Sequence, residues 1–194
     1  MNRREQILNE LIKTFKQRGF NSDFTMSELA EKVNIGKSTI YEYFGNKDDI
    51  IKAAILEYVH KSIQTVDVSE ETKDMNFEDS FKRQLDVLLS VASESRYLLD
   101  ALAPGFVQKL PESMKEEMKQ MVEKTRDRIQ ERFTSFFIKG IAEGVIRNDN
   151  MMNKGYVVTS LVIGTIITFS GRQVPLAKEV VIEDVYQAIL TLLN

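Results

Sequence analysis

Residues 24–47, FTMSELAEKVNIGKSTIYEYFGNK, leave this chain few ways to fold. Thr25 followed three residues later by Glu28 has the spacing of a capping box, in which the two side chains satisfy each other's free backbone amides at a helix start. Leu29, Ala30 and Val33 then fall on one helical face. Asn34, Ile35 and Gly36 interrupt the pattern. Asn tolerates the left-handed backbone of a tight turn, and Gly adopts it freely. A second short helix follows from Lys37 to Phe44, with Ile40 and Phe44 facing inward four residues apart. Ala30 is small enough to sit where the two helices cross.

Lys37, Ser38, Thr39, Tyr41 and Tyr43 are left off the apolar faces. Small polar, basic and tyrosyl groups crowded on the second helix of such a pair suit contact with phosphates and base edges of DNA. One motif inside the segment points elsewhere. Gly36-Lys37-Ser38 copies the end of the phosphate-binding loop of nucleotide hydrolases. The first glycine of that pattern would fall on Glu31, and a helix rather than a strand precedes it, so the match fails on both counts.

The run Thr25, Leu29-Ala30, Val33, Ile35, Lys37-Ser38-Thr39-Ile40-Tyr41, Tyr43-Phe44 and Lys47 resembles the DNA-binding domain of TetR-type bacterial transcriptional regulators. The preceding segment fits. Ile7, Leu8, Leu11, Ile12 and Phe15 form the stripe of an amphipathic helix ending near Gly19. The resemblance covers about residues 5–60. It implies that Thr25, Tyr41, Tyr43 and Lys47 hold phosphates, while Lys37, Ser38 and Thr39, entered through Gly36, face the major groove. Asn34 replaces a glycine common in that turn. Glu42 is an acidic departure on the reading helix, so it either points away from the DNA or accepts from a cytosine amino group.

Composition sets outer limits. The 194 residues suffice for one large or two small domains, and no cysteine is present, so neither a disulfide framework nor a thiolate zinc site is available. The single histidine, His60, assembles no metal site. No catalytic signature occurs, and neither an enzyme activity nor a cofactor is implied. The N-terminus runs into a helix without an apolar leader, which suits a cytoplasmic protein. The net charge of −3 is unevenly spread: residues 1–47 hold eight Lys/Arg and six Asp/Glu, so that end is weakly basic and the remainder acidic.

The remainder reads as helices. Ile50, Ile51, Ala54, Ile55, Tyr58 and Val59 mark one that begins at Lys47-Asp48-Asp49 and fades through Val66. Residues 67–76 read as a loop. A helix over 77–95 follows, then a short apolar piece ending at Pro104-Gly105. A long helix begins near Pro111 and stops near Gly144, carrying Met114, Met118, Met121, Val122, Thr125, Ile129, Phe133, Phe136, Phe137 and Ile141. Residues 155–171, GYVVTSLVIGTIITFSG, hold no charge. At that length, with several Thr, Ser and Gly and no strong basic cluster at either end, the segment reads as a buried helix rather than a membrane span.

The family resemblance implies that the last two long helices pair with their mates in a dimer. Val157, Leu161, Gly164, Ile167 and Thr168, with Val185 and Ile189, are the interface candidates. It also implies an inducer pocket between the middle helices, for which Leu85, Leu89, Tyr97, Phe106, Met118, Met121, Thr125 and Phe133 are candidates; plain hydrophobic core is the alternative for these residues. The expectation is therefore all-α. Residues 1–47 form a three-helix, helix-turn-helix DNA-binding domain, and residues 48–194 a helical ligand-binding and dimerisation body. Its partners would be a palindromic operator, a second copy and a small apolar or amphipathic inducer, with no membrane. The rivals are a nucleotide hydrolase using Gly36-Lys37-Ser38 and a DNA-bound dimer without a ligand.

Overall fold

The computed structural model describes residues 2–19, 23–94, 105, 107–110, 112–171 and 173–194. Over these the chain is all-α. Helix α1 spans Arg3–Arg18, α2 Met26–Lys32, α3 Lys37–Tyr43, α4 Lys47–Val66, α5 Ser69–Thr72, α6 Phe77–Glu94, α7 Glu112–Ala142, α8 Asn148–Ser170 and α9 Lys178–Leu193, with a 3-10 turn at Val107–Lys109.

Side chains near each helix end show why the chain divides there. Asn2 and Glu5 form a capping box on α1, and Thr25 and Glu28 form the one expected on α2. Asn46 accepts the Asp49 amide at 2.9 Å and opens α4, and Asn76 does the same for Asp79 at 2.8 Å before α6. The turn between α2 and α3 is closed by Ile35 N–H to Ala30 O at 3.0 Å and Asn34 N–H to Glu31 O at 3.1 Å. This is the paired C-terminal closure that needs a left-handed residue. Asn34 supplies it with φ 53°, whereas Gly36 has φ −70° and any residue could adopt its backbone. The sequence credits both residues with left-handed freedom; only Asn34 uses it.

Two apolar cores result. The first gathers Ile7, Leu11 and Phe15 of α1, Leu29 and Ala30 of α2, Ile40 of α3 and Ile50 to Val59 of α4. It also takes in Met114, Met118 and Val122 from the first half of α7. The second is built around α6, whose Phe77, Phe81, Leu85 and Leu89 meet Phe136 and Phe137 of α7 and the inner faces of α8 and α9. Ion pairs lie along its surface: Lys82 joins Glu78 to Glu183 of α9, and Lys178 of α9 reaches Asp86 at 2.5 Å.

Two elements differ from the sequence reading. Residues 67–76 hold the short helix α5, kept in place because Val68 and Thr72 are buried. Helix α8 starts at Asn148, seven residues before the charge-free run. The piece at 97–103 lies outside the described residues.

Gly140 sits where α7 crosses the turn into α8. A Cβ there would stand 2.7 Å from Ile146 Cδ1 and 3.1 Å from the Phe77 ring. Gly140→Ala should therefore cost about 1–3 kcal/mol through overpacking. Urea unfolding checks this; an unchanged midpoint would contradict the packing at that crossing.

Candidate nucleic-acid interface

The local fold of α2 and α3 turns one face outward. Ile40 is fully buried and Phe44 nearly so, which fixes the rotation of α3 about its axis. Lys37, Ser38, Tyr41, Glu42 and Tyr43 are then exposed, and Thr39 is half-exposed. Gly36 caps α3 with no side chain, also at the surface. The eight residues singled out from sequence, Thr25, Gly36, Lys37, Ser38, Thr39, Tyr41, Tyr43 and Lys47, thus sit in or beside the α2–α3 unit, and none of them is in the core. Glu42 is exposed on the same short helix.

Charge and hydrogen bonding leave this face able to donate. Among the described residues Lys37 and Lys47 make no ion pair, whereas Lys13 and Lys32 are both drawn to Glu10. Lys47 is the first residue of α4, and its ammonium lies 4.6 Å from the centroid of the Phe24 ring. That contact orients the side chain without neutralising it. Thr25 Oγ1 accepts the Glu28 amide at 3.1 Å. In return, the Thr25 amide and hydroxyl hold the Glu28 carboxyl below its ordinary range. A carboxylate lowered in the fold stabilises it at neutral pH, and the contribution fades as pH falls through the lowered value. Phe24, Arg4 and Asn46 were not foreseen as part of this region. Arg4 stacks at 5.3 Å on Phe44. An aromatic between turn residues and a helix carries no periodic signal by which sequence could have found Phe24.

Chemistry of other kinds finds little here. Among the described residues no group of three or more His, Cys, Asp or Glu could hold a metal ion, and no helix is long and apolar enough to cross a membrane. Gly36-Lys37-Ser38 starts a helix after another helix, so no strand-borne phosphate loop exists.

Known proteins carry the same architecture. Residues 7–54 match the model of the bacterial regulatory proteins of the tetR family. The HTH-type transcriptional regulator YvaF of Bacillus subtilis (strain 168) is 30% identical over 81 residues, an alignment spanning 42% of each chain. YhgD of the same organism, also an HTH-type transcriptional regulator, is 24% identical over 181 residues, covering 93% of this chain and 91% of that one. Among solved structures, the TetR family regulator PfmR of Thermus thermophilus superposes with a TM-score of 0.66 at 21% identity, covering 95% and 97% of the two chains. A transcriptional regulator from Saccharomonospora viridis, solved in complex with choline, reaches 0.74 at 15% identity over 96% and 94%. Residues 7–54, a quarter of the chain, thus match the tetR family of bacterial regulatory proteins, and the fold over the described residues is that of solved transcriptional regulators of that kind.

The body candidates are scattered rather than gathered. Leu85 and Leu89 are buried in the second core, and Met118 is buried in the first, with Met121 packed against it. Tyr97, Phe106 and the Thr125 side chain lie outside the described residues. Among the described candidates Phe133 alone lines a cavity of about 450 Å³, which lies between the end of α4, α6 and the second half of α7. Met118, at the reader end of α7, is a core residue, because α1–α4 close over that part of the helix.

Lys47→Ala should weaken binding to all duplexes alike and lower the slope of log affinity against log salt by about one. Lys37→Ala should instead change the ranking of operators. Filter binding across a salt series reads both; an unchanged slope for Lys47→Ala would remove that residue from the phosphate contacts.

Proposed function

We propose that this chain is a homodimeric, cytoplasmic repressor that leaves a palindromic operator when a small molecule binds its body. In this reading residues 1–47 read DNA, with phosphates on Thr25, Tyr41, Tyr43 and Lys47 and base edges before Lys37, Ser38 and Thr39. Residues 48–194 dimerise and sense. The observation that carries it is the path of two helices. The cavity is bounded by the end of α4 at Val66 and Asp67 and by α7 at Phe133 and Phe136. The opposite halves of the same two helices, Ile50 to Val59 and Met114 to Val122, lie in the core of the reader. A molecule that separates or ties these helices shifts the reader with them. Two readers engage one duplex only when their spacing matches successive major grooves, so a ligand preferring the mismatched spacing lowers DNA affinity by linkage.

The outer face of α8 supports the dimer. Val158, Val162 and Ile166 turn inward and are buried, while Tyr156, Ile163 and Ile167 on the other side are 75%, 49% and 53% exposed. Val157, Leu161 and Thr168 are half-buried between these faces. Gly164 lies on the open side, and a Cβ there would meet nothing within 4 Å in its own chain. Glycine in mid-helix costs about 1 kcal/mol of propensity against alanine, and nothing within the protomer requires it, so a second copy approaching closely is the reason we assign. Val185 and Ile189 are buried against α6 and α8 within one chain, so in this reading they back the interface helices rather than meet the second copy.

Selection from a pool of random duplexes is the test of the DNA reading. It should recover an inverted repeat whose half-sites lie about 10 base pairs apart or a multiple of that; a single unrepeated site would contradict the dimeric reader. Ile167→Glu, at a position exposed in the protomer, should fold normally yet place two like charges at the two-fold axis. Analytical ultracentrifugation at micromolar concentration should then find a dimer for the wild type and a monomer for the variant. A dimeric Ile167→Glu protein would move the interface elsewhere.

A further inference from the structure

The cavity between α4, α6 and α7 carries a charge that a bundle core does not need. Arg132 stands half-buried in its wall. Its Nη2 donates to Thr72 Oγ1 at 2.5 Å and its Nε to Gln84 Oε1 at 3.4 Å, both neutral acceptors. Its guanidinium lies 4.5 Å from the centroid of the Phe136 ring. Among the described residues Arg132 forms no ion pair, and its Nη1 donates to nothing. Burial pushes its pKa down, and only the field of Asp67 opposes that. A charge withdrawn from water without a direct counter-ion is costly. An incoming anion would relieve that cost, and the unused edge of a guanidinium matches the two oxygens of a carboxylate.

The neighbours decide the sign of the guest. Arg128, one turn earlier on α7, lines the same cavity and adds a second positive charge. Two acidic groups are present, but neither is poised for a cation. The Asp67 carboxylate already accepts from the Ser69 amide at 3.1 Å and from the Ser69 hydroxyl, and Glu131 is exposed to water. The Phe136 ring, which could have received a quaternary ammonium, already has Arg132 stacked on it, and Phe133 is stacked on Phe137. Val66, Leu88 and Phe133 give the rest of the wall an apolar surface. A volume of about 450 Å³ lies in the range of small-molecule sites.

We propose that this cavity binds an amphipathic monocarboxylate, its head on Arg132 Nη1 with Arg128 beside it and its tail along Val66, Leu88 and Phe133. The proposal rests on the reading of the body as ligand-responsive and names the ligand class. Such a guest ties Val66, the last residue of α4, to the second half of α7.

Isothermal titration calorimetry of the full chain with sodium octanoate, octan-1-ol and choline tests it, beside operator binding with and without octanoate. Octanoate should bind about ten- to a hundredfold more tightly than octan-1-ol, the value of a charge-assisted hydrogen bond, and choline should not bind. Arg132→Gln should lose a similar factor. Arg128→Gln, at an exposed position, should lose about two- to fivefold. Should Arg132→Gln melt early, the octanoate to octan-1-ol ratio and Arg128→Gln decide alone. No octanoate binding, equal affinity for octan-1-ol, binding of choline instead, or two arginine variants with wild-type affinity would overturn the site. Octanoate binding that leaves operator affinity unchanged would uphold the site and overturn the regulatory reading.

Discussion

The structure depends on one apolar seam. Met114, Met118 and Val122 of α7 lie against α4 and the helices of the reader, so the two ends of the molecule share a core instead of hanging from a hinge. Burying such side chains contributes about 1.5–3 kcal/mol each, and close-packed contacts transmit displacement rather than absorb it. Lys52 of α4 adds a polar tie, pairing with Glu117 at 2.7 Å and donating to the Ser113 carbonyl. Helix α4 is thus held from both sides, by α1 within the reader and by α7 and α6 within the body. Any rearrangement at its far end reaches the reader.

This seam also gives the cavity its consequence. An empty space of similar size enclosed by α8 and α9 alone would have no path to DNA. Here its walls are the continuations of the two helices that enter the reader. The polar groups facing it are held by hydrogen bonds, Asp67 by Ser69 and Arg132 by Thr72 and Gln84, so they are oriented before any guest arrives. Preorganised groups lose little entropy on binding.

Much of the fold is legible in the sequence because its helices announce themselves. Thr25 and Glu28 cap α2 as their spacing implies, Asn34 makes the left-handed turn, and Gly19 closes α1 at φ 88°. The exposed face of α3 follows from the burial of Ile40 and Phe44 alone. The body is harder to read. One long apolar stripe from Met114 to Phe137 looks continuous in sequence, yet it serves two cores, since a helix of 31 residues outruns any single packing partner. Periodicity shows which side chains face inward and not which neighbours meet them, so it groups Met118 and Leu85 in one pocket although they lie in different cores. Arg132 gives no signal at all: a lone arginine on an amphipathic helix reads as solvated surface until tertiary structure covers it. Val185 and Ile189 show the converse, apolar residues that face their own chain although their helix pattern suits a partner.

The central claim is that two readers joined through the body engage one duplex only at a matching separation. The chain has no cysteine, so a single replacement at the exposed Gln17 on α1 gives one spin label per protomer. Double electron-electron resonance then measures the distance between the two readers directly. The account predicts a dipolar signal from the free protein, broad in distance, that narrows to one distribution when the operator duplex is added. Absence of any dipolar signal, or a distribution identical with and without the duplex, would contradict it.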